Sequence, residues 1–253
     1  MTIIISAILV FQACDDDLDL VTSKNTYYDD IADVTFVHDH FFTTNYDISG
    51  HSGPQIDLFK FQLDTPAAID AYPLDLNGQG YFAITNDHLD LYLISRRTNL
   101  IYKYSTIGQR AYLSGDTLGT HWQSSGICYL PQSDSLFTLY RNLHQPTQYR
   151  GRRVAKNEPY KSDWDILVDW DFIDAGYHGA YALTYREPYF YILGVDQSGQ
   201  DVLFTADHNL VVQSIAQVPD STVVGLCFDE DQLYLSFRDH RILPWDPIFI
   251  DAP

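Results

Sequence analysis

GAYALTYREPYFYILGVDQSGQDVLFTADHNLVVQSIAQV, from Gly179 to Val218, decides the fold. Gly179–Arg186 alternates and is rich in Tyr, Ala and Leu, and Glu187-Pro188 breaks it. Tyr189–Val195 is a second run, closed by the polar Gly-containing loop Asp196–Gln200. Asp201–Ala206 is a third, Asp207-His208-Asn209 a turn, and Leu210–Val218 a fourth. Short runs enriched in β-branched and aromatic residues, separated by Gly, Asp, Asn and Pro turns, are strands joined as hairpins. Four such strands bury little alone and need neighbours stacked on their faces.

Outward from this unit, similar openings recur at Val34 (VTFVHD), Gly80 (GYFAITN), Gly126 (GICYLP) and Gly225 (GLCFDE). With Gly179 they give steps of 46, 46, 53 and 46 residues. The period and the four-strand unit resemble the blades of the β-propeller superfamily. The resemblance implies an all-β fold of five four-stranded blades. Extra residues of the long step fall in Ala155–Trp164, which reads as a polar insertion before an outer strand. The fifth unit stops soon after Ile242–Trp245, while Leu18–Tyr28 precedes the first unit unassigned. One terminus is therefore expected to supply the strand missing from the blade begun by the other, closing the ring and removing exposed edges. No helical periodicity alternates with the strands, and no low-complexity linker divides residues 15–253, which read as one domain.

The chain carries 34 acidic and 15 basic side chains, a formal charge of −19. Phosphate backbones and anionic lipid surfaces are repelled, so neither nucleic acid nor a bare membrane is the expected partner. Thr2–Ala13 is apolar but too short to span a bilayer as a helix, and it ends at Ala13-Cys14. This fits a signal peptide with a processing site, residues 1–14. Phe11-Gln12-Ala13-Cys14 resembles a lipobox, and Asp15-Asp16-Asp17 resembles the acidic export signal of surface lipoproteins of the Bacteroides group. That resemblance implies lipidation of Cys14 and a cell-surface, outer-membrane address, with a periplasmic or secreted protein as the alternative. Membrane contact is then through the lipid alone. Cys128 and Cys227 both stand two residues after a glycine in separate units, too far apart for a disulfide, and read as small buried apolar residues.

Gly-rich phosphate loops, GxSxG, HExxH and EF-hand patterns are absent from the sequence. Asp-His occurs at residues 39, 87, 207 and 239, where a turn role for Asp outweighs a metal role. The only glutamates are Glu158, Glu187 and Glu230, the first in the insertion and the others in turns. That argues against the metal constellation of gluconolactonase-type propellers. In propellers, the loops before the inner strands and those between second and third strands form the ligand face. The resemblance therefore puts His121, Trp122, Tyr177 and His178 on that face, with His51, His144 and Arg238 from the other loop set. Aromatic rings beside imidazoles suit a sugar or another polar ring, although the same aromatics could simply cap packing between blades. The expected protein is a monomeric, cofactor-free binding propeller for a glycan or a protein partner. The alternative is a hydrolase or lactonase acting on a sugar-like substrate at the mouth of the central channel.

Overall fold

A computed structural model describes residues 31–45, 58–62, 70–72, 81–95, 98–105, 110–112, 121–169, 179–196, 198–219, 222–238 and 241–251. Cys14, His51, Tyr177, His178 and the segment 18–28 lie outside these residues. The described residues form five antiparallel sheets and a single 3-10 turn, Pro131–Ser133. The first sheet runs β1 (Ile31–Val37), β2 (His40–Asn45), β3 (Leu58–Gln62), β4 (Asp70–Tyr72). The second runs β5 (Tyr81–Asn86), β6 (Asp90–Ser95), β7 (Ile101–Ser105), β8 (Arg110–Tyr112). The third runs β9 (Trp122–Leu130), β10 (Ser135–Asn142), β11 (Gln148–Ala155), β12 (Glu158–Asp169). In the fourth, β13 (Gly179–Arg186), β14 (Tyr189–Val195), β15 (Asp201–Ala206) and β16 (Val212–Gln217) follow in order. The fifth has β17 (Val223–Asp229), β18 (Gln232–Phe237) and β19 (Ile242–Trp245), and the last strand, β20 (Ile250–Asp251), pairs with β16 of the fourth.

The first strands are the common centre. β1 packs against β5 and β17, β5 against β9, β9 against β13, and β13 against β17. Each carries one β-bulge, at Ala32, Phe82, Ser125, Tyr181 and Val224, and these bulges define equivalence. The residue after the bulge is Asp33, Ala83, Gly126, Ala182 or Gly225, here called level one. Level two is Val34, Ile84, Ile127, Leu183 and Leu226, all at most 2% exposed. Level three is Thr35, Thr85, Cys128, Thr184 and Cys227, and each lies opposite an aromatic of the second strand: Phe42, Tyr92, Phe137, Tyr191 and Tyr234. Small opposite large on one face of a hairpin gives each ring room without a void. Level four is Phe36, Asn86, Tyr129, Tyr185 and Phe228.

This register corrects the one expected from the glycines. Gly126 and Gly225 are equivalent at level one, whereas Gly179 lies three residues before level one of its sheet. From level two, Val34 to Ile84, Ile127, Leu183 and Leu226, the steps are 50, 43, 56 and 43 residues. The physical reason lies in the level-one glycine of the fifth sheet: a Cβ on Gly225 would sit 2.5 Å from Asp33 Oδ1 and 2.7 Å from its Cα. Adjacent first strands approach that closely only where one side chain is missing.

Asp33 is a buried carboxyl at this centre, 1% exposed. Its Oδ1 accepts the Val34 N–H at 2.9 Å and its Oδ2 the Ile84 N–H at 3.0 Å. The Leu226 N–H also donates to the carboxyl. Burial raises its pKa well above the usual carboxylate value, and the three donors oppose that shift.

Two other expectations change. Ala155–Trp164 is no insertion before an outer strand: Lys156-Asn157 form a hairpin tip, and the extra residues lengthen β12 through bulges opposite Arg153–Ala155. The C-terminal residues extend the fourth sheet, while the fifth shows three strands among the described residues. Cys128 and Cys227 are free and buried at the same level of two sheets, as their spacing implied.

Candidate functional site

Side chains gather at both ends of the first strands. At the starting end, β9 begins at Trp122 and pairs it with Asn142, so the strand reaches four residues further back than Gly126. Asn142 Oδ1 accepts the His144 and Gln145 N–H groups at 2.9 and 3.2 Å, which fixes the loop after β10. The Leu143 N–H donates to His121 O at 2.8 Å. His144 Nε2 and His121 Nδ1 then meet at 2.7 Å, with ring centroids 4.5 Å apart. Arg150, on β11, lays its guanidinium 4.6 Å from the centre of the Trp122 ring. The structure thus brings His121, Trp122 and His144 together on the third sheet and adds Arg150, which its position inside a strand concealed. Arg238 is exposed at the end of β18, and its charge acts on Tyr181 of the fourth sheet, whose hydroxyl donates to Asp201 Oδ1 at 2.9 Å.

At the finishing end, the five first strands open into a recess of about 240 Å³. Its lining is ordered by level. Thr35, Thr85, Thr184 and Cys227 of level three form the floor. All five level-four residues form the wall: Phe36, Asn86, Tyr129, Tyr185 and Phe228. Two residues further on, in the hairpin tips, His88, Pro131, Glu187 and Glu230 form the rim, with Arg186 beside them. Sequence reasoning passed over this end because short first-to-second-strand turns looked like mere connections. The signal was there in the aromatic recurring at level four, but only the bulge register aligns it.

The groups here are fixed by hydrogen bonds and ion pairs. Asn86 Nδ2 donates to Thr35 Oγ1 at 2.7 Å and to Phe36 O at 2.9 Å, while its Oδ1 accepts the His88 N–H at 2.9 Å. Arg186 pairs with Asp231 of the fifth sheet through Nη2 and donates from Nη1 to Asp231 O at 3.0 Å. Its guanidinium also lies 5.2 Å from the Phe228 ring centre. Behind Tyr129, Lys156 Nζ bridges Asp87 Oδ2 at 2.8 Å and Asp134 Oδ1 at 2.7 Å, joining the second and third sheets. Tyr129 donates to Asp134 Oδ1 at 2.7 Å, and burial followed by that carboxylate pushes its phenol up to about 12. Burial likewise pushes the Cys227 thiol well above its usual value, with Asp33 and Asp229 adding to it. Neither proton is readily released, so neither group is a ready nucleophile. Asp229 is raised by burial and then by Glu230 and Asp39, the mark of a negative potential at this end.

The Asp-His pairs serve turns where they are described. Asp87 Oδ1 accepts the Leu89 and Asp90 N–H groups at 3.1 and 2.8 Å, and Asp207 Oδ1 those of Asn209 and Val211 at 2.8 and 3.0 Å. Among the described residues, no three His, Cys, Asp or Glu side chains are placed to hold one metal ion.

No protein-family model matches the chain, and no curated protein does. Solved structures match it by fold. Glutaminyl cyclase of Myxococcus xanthus superposes with a TM-score of 0.59 at 13% identity, covering 88% of this chain and 93% of that one. The nidogen/laminin complex gives a TM-score of 0.51 at 12% identity, over 88% of this chain and 76% of that one. The WD40 β-propeller domain of Doa1 gives 0.41 at 12% identity, over 66% and 52%. The two superpositions above a TM-score of 0.5, at identities this low, speak for the fold alone. The chain is thus an all-β protein with a propeller-type fold.

Proposed function

We propose that this chain is a five-bladed propeller that binds a small ligand in the recess and performs no chemistry on it. The supporting observation is that all five sheets send their level-four side chains into one cavity at the end of their first strands. Rigid scaffolds place binding groups by convergence of this kind. In this reading the five sheets close as a ring, with residues 18–28 adding the fourth strand on β19. Cys14 carries the lipid that holds the propeller at the cell surface. The recess then faces outward as a receptor for a solute or for one group of a larger partner.

A thermal-shift panel on the chain lacking residues 1–14 tests the reading. It uses small amines, carboxylates, mono- and disaccharides and neutral alcohols, each on the wild type and on Thr184→Phe, which fills the floor. At least one class raises the wild-type Tm, because a ligand bound only by the folded state stabilises it. The same class leaves Thr184→Phe unshifted. If every class shifts both proteins equally, or none shifts the wild type, the recess is not the binding site.

A further inference from the structure

We propose that the recess selects a small organic cation, an ammonium group on a compact apolar body; this rests on the recess being the ligand site. Four of the five wall residues are aromatic, Phe36, Tyr129, Tyr185 and Phe228. Ring faces attract cations through their quadrupole, more strongly where water is excluded. The molecule already seats its own cations on two of these rings: Lys156 Nζ is 5.6 Å from the Tyr129 centre, and the Arg186 guanidinium is 5.2 Å from that of Phe228. Both cations are balanced by carboxylates, Lys156 by Asp87 and Asp134 and Arg186 by Asp231. Neither leaves net positive charge at the opening.

The rim adds the opposite sign. Glu187 and Glu230 are exposed, and no ion pair joins either to a described cation. Glu230 also acts unfavourably on Asp229, so negative charge here exceeds its compensation. The chain's charge of −19 draws cations to the surface and repels anions. Size completes the selection, since about 240 Å³ falls below the roughly 300–1,000 Å³ usual for drug-sized ligands. A trimethylammonium or a short primary amine fits such a volume.

Isothermal titration of the chain lacking residues 1–14 with choline and tetramethylammonium tests this, beside 3,3-dimethyl-1-butanol, the neutral isostere of choline. Choline binds at least tenfold more tightly than the isostere. Glu187→Gln/Glu230→Gln weakens choline at least fivefold with the Tm unchanged, and Thr184→Phe abolishes it. Equal binding of choline and its isostere, with both lost in Thr184→Phe, overturns the cation and keeps the recess as a site. Choline binding that survives Thr184→Phe overturns both. Absence of choline and tetramethylammonium binding overturns the cation, and the thermal-shift panel then decides the recess.

Discussion

Tyr149 reaches from β11 to accept the Ala180 N–H at 2.9 Å, and its Oη lies 1.9 Å from where a Cβ on residue 179 would stand. Gly179 also has φ +116, a region that L side chains avoid. Gly199 has φ +81 with nothing within 4 Å of its missing Cβ, so the two sites share backbone strain and differ in the clash. Gly179→Ala is expected to cost about 3 kcal/mol or more and Gly199→Ala about 1 kcal/mol, read from urea unfolding. Tyr149→Phe removes the clashing oxygen, so the double variant should be more stable than the sum of the single losses. Lys156 offers a second residue-scale test. Its partner Asp87 is almost fully enclosed, with 1% of the side chain exposed, while the lysine keeps 16%. Lys156 and the turn N–H groups hold the Asp87 carboxyl at about 2, although burial pushes the other way. A depressed carboxyl contributes stability above its unfolded pKa, about 3.9, and loses it as pH falls through its folded value. Lys156→Met should therefore cost about 2 kcal/mol at pH 7, with the gap to wild type closing between about pH 4 and pH 2 in acid unfolding.

Hairpins reach the next first strand through single side chains. Asn99, in the turn between β6 and β7, donates from Nδ2 to Trp122 O at 2.7 Å and accepts the Ser124 N–H at 2.9 Å. Its φ of 58° suits Asn or Gly. Asn99→Gly keeps the turn and leaves two backbone groups of β9 unpaired, so it should cost about 2 kcal/mol. Amide exchange at Ser124 should accelerate while Ile192 in β14 stays protected, because the clamp acts on β9 alone. At this scale the strands themselves were legible, since alternation and turn residues specify them locally. Tyr189–Val195 and Asp201–Ala206 stand where the sequence put them. Register was not legible. Each first strand inserts one bulged residue, such as Ser125 or Val224, and a bulge leaves no mark in an alternating run. Gly179 therefore looked interchangeable with Gly126 and Gly225, which stand three residues further along their strands; Gly80 lies outside the described residues.

For the whole molecule, Asp33 ties three sheets through one carboxyl, taking N–H groups from β1, β5 and β17. Asp33→Asn turns an amide N–H2 toward one of those donors and should cost about 1–3 kcal/mol. The wild-type carboxyl is raised by burial, so its contribution is full below the unfolded pKa and falls as pH rises through the folded value. The gap between Asp33→Asn and wild type should accordingly be wider at pH 4.5 than at pH 8 in urea titrations. Legibility of the site was limited by distance along the chain: the wall of the recess gathers residues from Phe36 to Phe228. Reasoning from loops favoured the opposite end, where His121 and His144 do meet. Glu187 and Glu230 were recognised only as turn residues, because a rim exists only once five tips are set side by side.

The alternation of levels along the first strands separates two kinds of inheritance. Levels one and two, from Asp33 and Val34 to Gly225 and Leu226, meet neighbouring strands and tolerate little change. The tips at His88, Pro131, Glu187 and Glu230 are exposed. Descendants of this chain could exchange those four side chains and acquire new preferences while their architecture stays intact. Divergence within such a lineage would then be written in the hairpin tips, and a survey of tip residues would sort its members by what they hold.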